Sequence, residues 1–77
     1  MGVRELLETL AAAVVENPEA VKVSEADEDG TIVLELSVAD DDYGRVIGRE
    51  GRTAQALRTI VKAAAPDGRR VFVDIID

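Results

Sequence analysis

The stretch VIGREGRTAQAL, residues 46–57, decides the fold of this 77-residue chain. An apolar segment runs into Gly48, and Gly51 opens a segment whose apolar residues recur at helical spacing. Glycine adopts positive φ without steric cost, so the two glycines can turn the backbone sharply between two helices. The stretch therefore predicts a short helix, a four-residue turn at residues 48–51, and a second, longer helix.

The turn at residues 48–51 also has the features of an anion site. A helix N-terminus presents unpaired N–H groups and the positive end of the helix dipole, and Gly51 lies where the longer helix begins. Arg45, Arg49 and Arg52 add formal positive charge nearby. A phosphate backbone is the natural ligand of such a site. The alternative is a tight helix–helix turn whose charged side chains are merely solvated.

Two longer helices are predicted from apolar stripes at helical spacing. The first stripe precedes Pro18, which disfavours helical geometry in the residue before it, and consists of Val3, Leu6, Leu7, Leu10, Ala11, Val14 and Val15. The second follows Gly51 and ends before Pro66, and its inner face is Ala54, Leu57, Ile60, Val61 and Ala64. Between the two, the aspartates at residues 40–42 are suited to capping the N-terminus of the short helix.

Three strands are predicted around these helices. Residues 21–25 alternate as a short strand, and the acidic residues 27–30 predict a turn with Gly30 at positive φ. Residues 31–38 alternate with one buried face and complete a β-hairpin. A last strand is predicted at residues 69–76. The element order is α-β-β-α-α-β, which is an α+β fold, and we expect one domain over residues 1–77.

Composition excludes several kinds of protein. The chain has no Cys and no His, which rules out a disulfide framework, a thiol nucleophile, a His general base and the common zinc sites. No apolar run is long enough to span a membrane, and we expect a soluble, cytoplasmic protein. Carboxylates, one Tyr and lysines without evident pairing do not suggest a catalytic site, so we expect neither an enzyme nor a cofactor.

Charge is distributed unevenly along the chain, although the net charge is −7. Residues 1–42 contain two basic and twelve acidic residues, whereas residues 43–77 contain seven basic and four acidic ones. Such asymmetry is typical of a basic binding face on an acidic body, and it is also compatible with an ordinary solvated surface.

The stretch VIGREGRTAQAL resembles the signature of KH domains, in which Val/Ile-Ile-Gly-x-x-Gly joins two helices. The element order resembles the type II KH arrangement. The chain length and the stretch YGRVIGREGRTAQALRTIVKAAA, residues 43–65, are similar to the small bacterial single-KH RNA-binding proteins of the KhpA family. The resemblance implies a mixed three-stranded sheet with an antiparallel hairpin, a last strand parallel to its neighbour, and three helices on one face.

The resemblance also implies a single-stranded RNA site. KH domains hold about four nucleotides, with the Gly-x-x-Gly loop clamping the backbone. Carried over, Gly48 and Gly51 are the clamp glycines, and Arg49 and Glu50 are the variable positions between them. Ile47 would help to form the apolar floor for a base, and Val46 would either join that floor or turn into the core. Arg45 and Arg52 would supply charge at the edge of the groove.

Two features depart from the family pattern, since Glu50 places a carboxylate inside the clamp and the turn at 27–30 is strongly acidic. Both should weaken phosphate affinity, so we expect weak, broad RNA binding as an RNA chaperone or post-transcriptional regulator. The resemblance implies a homodimer, or a heterodimer with a larger KH-containing RNA-binding protein (KhpB, also called Jag or EloR). The alternative is a dimerisation module with a vestigial groove, which would use Val33, Phe72 and Ile76 or the side of the long helix bearing Thr59 and Lys62. Phe72 and Ile76 can also simply pack at a sheet edge.

Overall fold

Residues 2–76, which the computed structural model describes, fold into three α-helices and three β-strands. Their bounds are α1 Val3–Val14, β1 Lys22–Glu28, β2 Thr31–Ser37, α2 Tyr43–Ile47, α3 Arg52–Ala63 and β3 Val71–Ile76. This order confirms the predicted α+β arrangement. No helix in this part of the chain is long and apolar enough to cross a membrane.

The sheet has the strand order β1-β2-β3 and is mixed, as the resemblance implied. β1 and β2 pair antiparallel, with Val23 opposite Leu36, and β3 lies parallel to β2, with Leu34 opposite Val73. β2 is therefore central, and both of its neighbours are edge strands within residues 2–76. β1 carries mostly exposed polar and acidic side chains, which discourage pairing with another chain.

The core lies between one face of the sheet and the three helices. The predicted inner face of β2 is confirmed, because Ile32, Leu34 and Leu36 are all buried. The helices and β3 supply most of the other buried residues, which are Val3, Leu7, Ala11, Val46, Ala54, Leu57, Val61, Val71, Val73 and Ile75. The opposite face of the sheet is left open, and Phe72 and Ile76 are exposed on it rather than packed at the sheet edge.

The hairpin differs from its prediction in length. β1 extends to Glu28, beyond the predicted end at residue 25, and the turn contains only Asp29 and Gly30. Both turn residues have positive φ, 55° and 88°, as a two-residue type I′ turn requires. The predicted turn at residues 27–30 was too long, because acidic residues are more common in turns than in strands. The acidic residues before the turn remain in the strand because they pair with β2 and, at a sheet edge, leave their side chains in water.

The buried face of α3 is narrower than predicted. Ala54, Leu57 and Val61 are buried, but Ile60 is 45% exposed and Ala64 is also exposed. In α1 likewise, Val14 lies at the margin of the apolar stripe and is exposed. A domain this small offers each helix only a limited contact surface, so residues at the margin of a stripe stay in water.

Asp42 does not cap α2, contrary to the prediction for residues 40–42. Its side chain is fully buried and makes no capping hydrogen bond to that helix. Its carboxylate instead accepts hydrogen bonds from the backbone N–H groups of Glu16 and Asn17, both at 3.0 Å, and from Asn17 Nδ2 at 2.9 Å. Arg45 donates a further one at 3.1 Å. The carboxylate therefore joins the segment after α1 to the start of α2.

These partners favour the charged form of Asp42. The hydrogen bond from the Glu16 N–H, those from the Asn17 side chain and backbone, and the Arg45 charge lower the pKa of Asp42, although burial opposes them. A lowered carboxyl pKa in the folded state adds stability above the pKa of the unfolded chain, about 3.9. That contribution is lost as the pH falls through the lower, folded-state pKa.

Replacing Asp42 with Asn should lower the urea midpoint of unfolding at pH 7 without changing the slope of the transition. An amide has one acceptor oxygen, so at least one buried donor among the Glu16 and Asn17 groups loses its partner. Asp41→Asn is the matched control, since Asp41 is exposed and should change the midpoint little. The gap between the wild type and Asp42→Asn should narrow below about pH 4, where the aspartate contribution disappears. Equal midpoints for Asp42→Asn and Asp41→Asn at pH 7 would contradict the role assigned to this carboxylate.

Candidate nucleic-acid interface

The loop Gly48–Gly51 joins α2 to α3 through a single 3-10 turn, as the sequence predicted. The Gly48 N–H closes α2 by donating to the Gly44 carbonyl at 2.8 Å. The Gly51 N–H donates back to the Gly48 carbonyl at 3.1 Å. These two hydrogen bonds hold the loop as a compact, defined turn between the helices.

Gly48 is required at its position for two physical reasons. Its φ of 77° and ψ of 171° lie in a region that is essentially restricted to glycine. A Cβ atom at this position would also lie 2.7 Å from Thr53 Cβ and 2.8 Å from the Thr53 backbone nitrogen. The first turn of α3 thus packs directly against the loop backbone, and no side chain fits between them.

Gly51 has a different role. It adopts the left-handed conformation, with φ 74° and ψ 12°, but a Cβ added there would meet nothing within 4 Å. The surface beside Gly51 is therefore open. Glu50 is also left-handed, with φ 56°, which is uncommon for a residue with a side chain. Three of the four loop residues, Gly48, Glu50 and Gly51, therefore have positive φ.

The N-terminus of α3 begins at this open surface. Gly51 occupies the N-cap position, and no side chain in residues 2–76 caps the helix. The Arg52 N–H donates to the Arg49 carbonyl, and no side chain within residues 2–76 caps the other first-turn N–H groups, so the positive end of the helix dipole faces the loop without a protein anion. An anionic ligand beside Gly51 would be stabilised by both.

The arginines near the loop differ in their surroundings. Arg49 forms no ion pair within residues 2–76 and is exposed on the loop. Arg52 lies 3.4 Å from Glu50, and both side chains are mostly exposed, so the pair is weak and easily exchanged for another anion. Arg45 contacts Asp42 at 3.1 Å and Glu16 at 3.3 Å. Two carboxylates thus balance the charge of Arg45, which gives it a structural role that sequence reasoning missed.

The two apolar residues before the loop differ in burial. Ile47 is half-buried and packs against the core, so part of its side chain remains available at the surface. Val46 is fully buried and belongs to the core itself. Of its two predicted alternatives, the structure adopts the one in which Val46 turns into the core, so its side chain has no surface to offer to RNA.

A seam between α3 and β3 leads away from the loop, and sequence reasoning missed it. Arg70 directs its carbonyl toward β2, where it accepts from the Ile32 N–H at 2.9 Å. Backbone groups alternate along a strand, so those of Val71, Val73 and Ile75 point to the outer edge of β3. Arg58 of α3 reaches this edge and donates from Nε to the Val73 carbonyl at 3.3 Å. We call the strip between Arg58 and Lys62 of α3 and this edge of β3 the α3–β3 seam.

Solved structures share the fold of this chain. A variant of Era from Aquifex aeolicus, with bound GDP and aluminium fluoride, superposes with a TM-score of 0.64 at 19% sequence identity. A complex of Era with a segment of 16S ribosomal RNA gives the same TM-score and identity. The match covers 95% of this chain but less than a third of either Era chain. At this identity the likeness concerns the fold alone.

Curated relatives are similar over almost their whole length. The RNA-binding protein KhpA of Caldanaerobacter subterraneus is 53% identical over 94% of this chain and 97% of its own. The KhpA proteins of Clostridium acetobutylicum and Streptomyces coelicolor are 50% and 49% identical, each over 95% of this chain and at least 90% of their own. The family model described as KhpA/KhpB, KH domain, matches residues 4–75. With its Gly48–Gly51 loop at the junction of α2 and α3, the chain belongs to the KhpA/KhpB family of KH domains.

Proposed function

We propose that the protein binds single-stranded RNA and that the loop Gly48–Gly51 clamps the RNA backbone. The observation that carries this proposal is the open loop backbone, which lies against the uncapped N-terminus of α3. KH domains use this loop to hold a backbone of about four nucleotides. Relatives at 49–53% identity are named RNA-binding proteins, which supports the same function.

The clamp would act through the backbone and two arginines. A phosphate beside Gly51 would accept from first-turn N–H groups of α3 other than that of Arg52, which donates to the Arg49 carbonyl. Arg49 and Arg52 would supply positive charge from exposed positions. Ile47 offers an apolar surface to a base at the start of the loop. The remaining bases would follow the α3–β3 seam. Because most of these contacts address the phosphates, they position the strand and carry little sequence information.

We further propose that affinity is modest and specificity broad, as suits an RNA chaperone or post-transcriptional regulator. Glu50 places a negative charge on the clamp and competes with phosphate for Arg52. The whole chain has a net charge of −7, which repels a polyanion outside the basic region. The affinity of a single weak groove would increase if a second groove bound the same RNA strand.

A dimer would supply that second groove, formed with another copy or with a larger KH-containing RNA-binding protein of the KhpB kind. The outward side of α3 is the better of the two predicted surfaces. Exposed Ala56, Ile60 and Ala63 lie beside Thr59 there and form an apolar stripe without a partner in residues 2–76. On the open sheet face, Glu35 lies opposite Asp74, and this carboxylate pair separates Phe72 from Ile76. The stripe also favours a second candidate function, an interaction module with a weak RNA groove.

Changing Arg49 and Glu50 together to Asp should weaken binding of a single-stranded oligonucleotide by roughly tenfold to a hundredfold, since charge-assisted contacts contribute about 1.5–3 kcal/mol. Both residues are exposed, so the melting temperature should change little. Lys22→Asp is the matched control, because it changes the net charge equally at an exposed position on β1. Fluorescence anisotropy at low salt measures the affinity. Equal binding by the loop variant and the control would refute the clamp.

Replacing Glu50 alone with Lys should raise the affinity for RNA. The slope of log affinity against log salt concentration should steepen by up to about 0.7, the value for one phosphate contact on a single strand. The substitution removes the carboxylate that pairs with Arg52 and keeps a side chain of similar length in the same left-handed conformation. No change at low salt would mean that residue 50 points away from the bound strand.

Ile60→Asp should weaken self-association by at least about tenfold, since it places a charge at the centre of the α3 stripe. Phe72→Asp on the sheet face should leave self-association unchanged. Sedimentation velocity at several concentrations distinguishes these outcomes. A wild-type protein that stays monomeric at high concentration would contradict the proposed homodimer. A firm dimer that binds no RNA at low salt would favour the interaction module over the RNA-binding function.

A further inference from the structure

A basic pocket lies at the end of the α3–β3 seam that is remote from the loop Gly48–Gly51. Its volume is about 540 Å³, which is within the usual range of ligand pockets. Six residues line it: Thr31, Lys62, Arg69, Arg70, Val71 and Phe72. Three of the six are basic and none is acidic, although acidic residues outnumber basic ones in the chain by sixteen to nine.

The three basic residues are not equivalent. Arg69 is held in place, because its guanidinium contacts Asp27 at 2.7 Å and donates from Nε to the Gly30 carbonyl at 3.0 Å. Lys62 and Arg70 are exposed and form no ion pair with any residue in the described chain. The pocket thus has one guanidinium that is held by Asp27 and two exposed cations without a paired carboxylate, which suits a phosphate that approaches from solvent.

Phe72 adds a feature that a simple anion site does not need. It is the sole Phe of the chain, it lines the pocket, and 56% of its surface is exposed to solvent. Proteins that hold single strands combine basic grooves with exposed aromatic rings, on which bases stack whatever their identity. Thr31 lines the same pocket, and its hydroxyl can donate or accept a hydrogen bond.

The pocket is also in line with the loop. Arg58 meets Val73 midway along the seam, and Lys62 and Val71 meet at the pocket, so α3 and β3 run side by side in opposite directions. Arg52 follows the loop directly, and Lys62 lies ten residues further along α3, which corresponds to about 15 Å at 1.5 Å per residue. A strand held at the loop and continuing along the seam therefore arrives at the pocket.

We propose that this pocket binds one further nucleotide of the single strand that the loop clamps, with its base stacked on Phe72 and its phosphate held by Lys62, Arg69 and Arg70. This inference rests on the proposed RNA-binding function and extends its footprint beyond the clamped nucleotides. Asp27 is then a positioning residue, because it orients Arg69 toward the phosphate. Asp27, which belongs to the predicted acidic turn at residues 27–30 but lies in β1, thereby contributes to RNA binding instead of opposing it.

The test measures binding of oligouridylates of four, six and eight nucleotides by fluorescence anisotropy at low salt. Two pocket variants are compared, Phe72→Leu and the double variant Lys62→Gln with Arg70→Gln. The charge-matched control for the double variant is Arg4→Gln with Lys22→Gln, which removes two basic residues far from the pocket in sequence. Each variant is compared with its control at the same RNA length. Any affinity gained from a second groove in a dimer is then the same for both. Circular dichroism verifies that every variant is folded.

The wild type should bind the octamer more tightly than the tetramer. Phe72→Leu should remove roughly five- to hundredfold of octamer affinity, the range expected when one base no longer stacks, and leave tetramer affinity unchanged. The double variant should weaken octamer binding and reduce its salt slope by roughly 0.7 for each phosphate that is no longer neutralised. Asp27→Asn should weaken octamer binding less than the double variant does, since it loosens Arg69 without removing it.

Three outcomes would overturn the inference. If the wild type binds RNA and the pocket variants match the control at every length, the pocket has no part in binding, while the clamp proposal stands. If no oligonucleotide binds at all, the proposed function itself fails and the inference falls with it. If the pocket variants lose self-association in sedimentation but keep octamer affinity, the pocket is a protein-docking surface.

Discussion

A single buried carboxylate determines where the loop of this KH domain is placed. Asp42 receives hydrogen bonds from the residues that follow α1 and lies directly before α2, the short helix that carries the loop. A five-residue helix has little stability of its own and cannot fix its own orientation. Four donors converge on Asp42, and they hold the start of α2 against the end of α1. The position of Gly48 relative to the sheet depends on this connection.

The α+β architecture could be predicted from the sequence because its signals are local. The hydrophobic periodicity of single segments predicts β2, α1 and α3. The spacing of two glycines predicts the turn between α2 and α3. The length of β1 could not be predicted in this way. Asp27 and Glu28 are strand residues only because β2 lies opposite them, and cross-strand pairing is a tertiary property. The exposure of Ile60 has the same origin, since it depends on how much of α3 its neighbours cover.

The candidate site was predictable in its backbone and less so in its side chains. Spacing alone indicated a glycine turn at a helix start, and the structure has one at residues 48–51. The partners of Arg45 come from residues 16 and 42, which no local pattern connects. The basic pocket gathers Thr31, Lys62 and Arg70 from three different parts of the fold. Such clusters follow from topology, so sequence periodicity could not reveal them.

The parallel pairing of β2 with β3 has a consequence for the order in which the fold is completed. Ile32 pairs with Val71, and the whole of α2, the loop and α3 lies between them along the chain. Closing so long a segment costs entropy, which makes this contact a late event in folding. During synthesis, the glycine loop leaves the ribosome before β3 does. The loop can thus exist on a nascent chain that still lacks the seam and the pocket. The α3–β3 seam therefore forms only when the last strand has paired with β2 and brought Val73 beside Arg58.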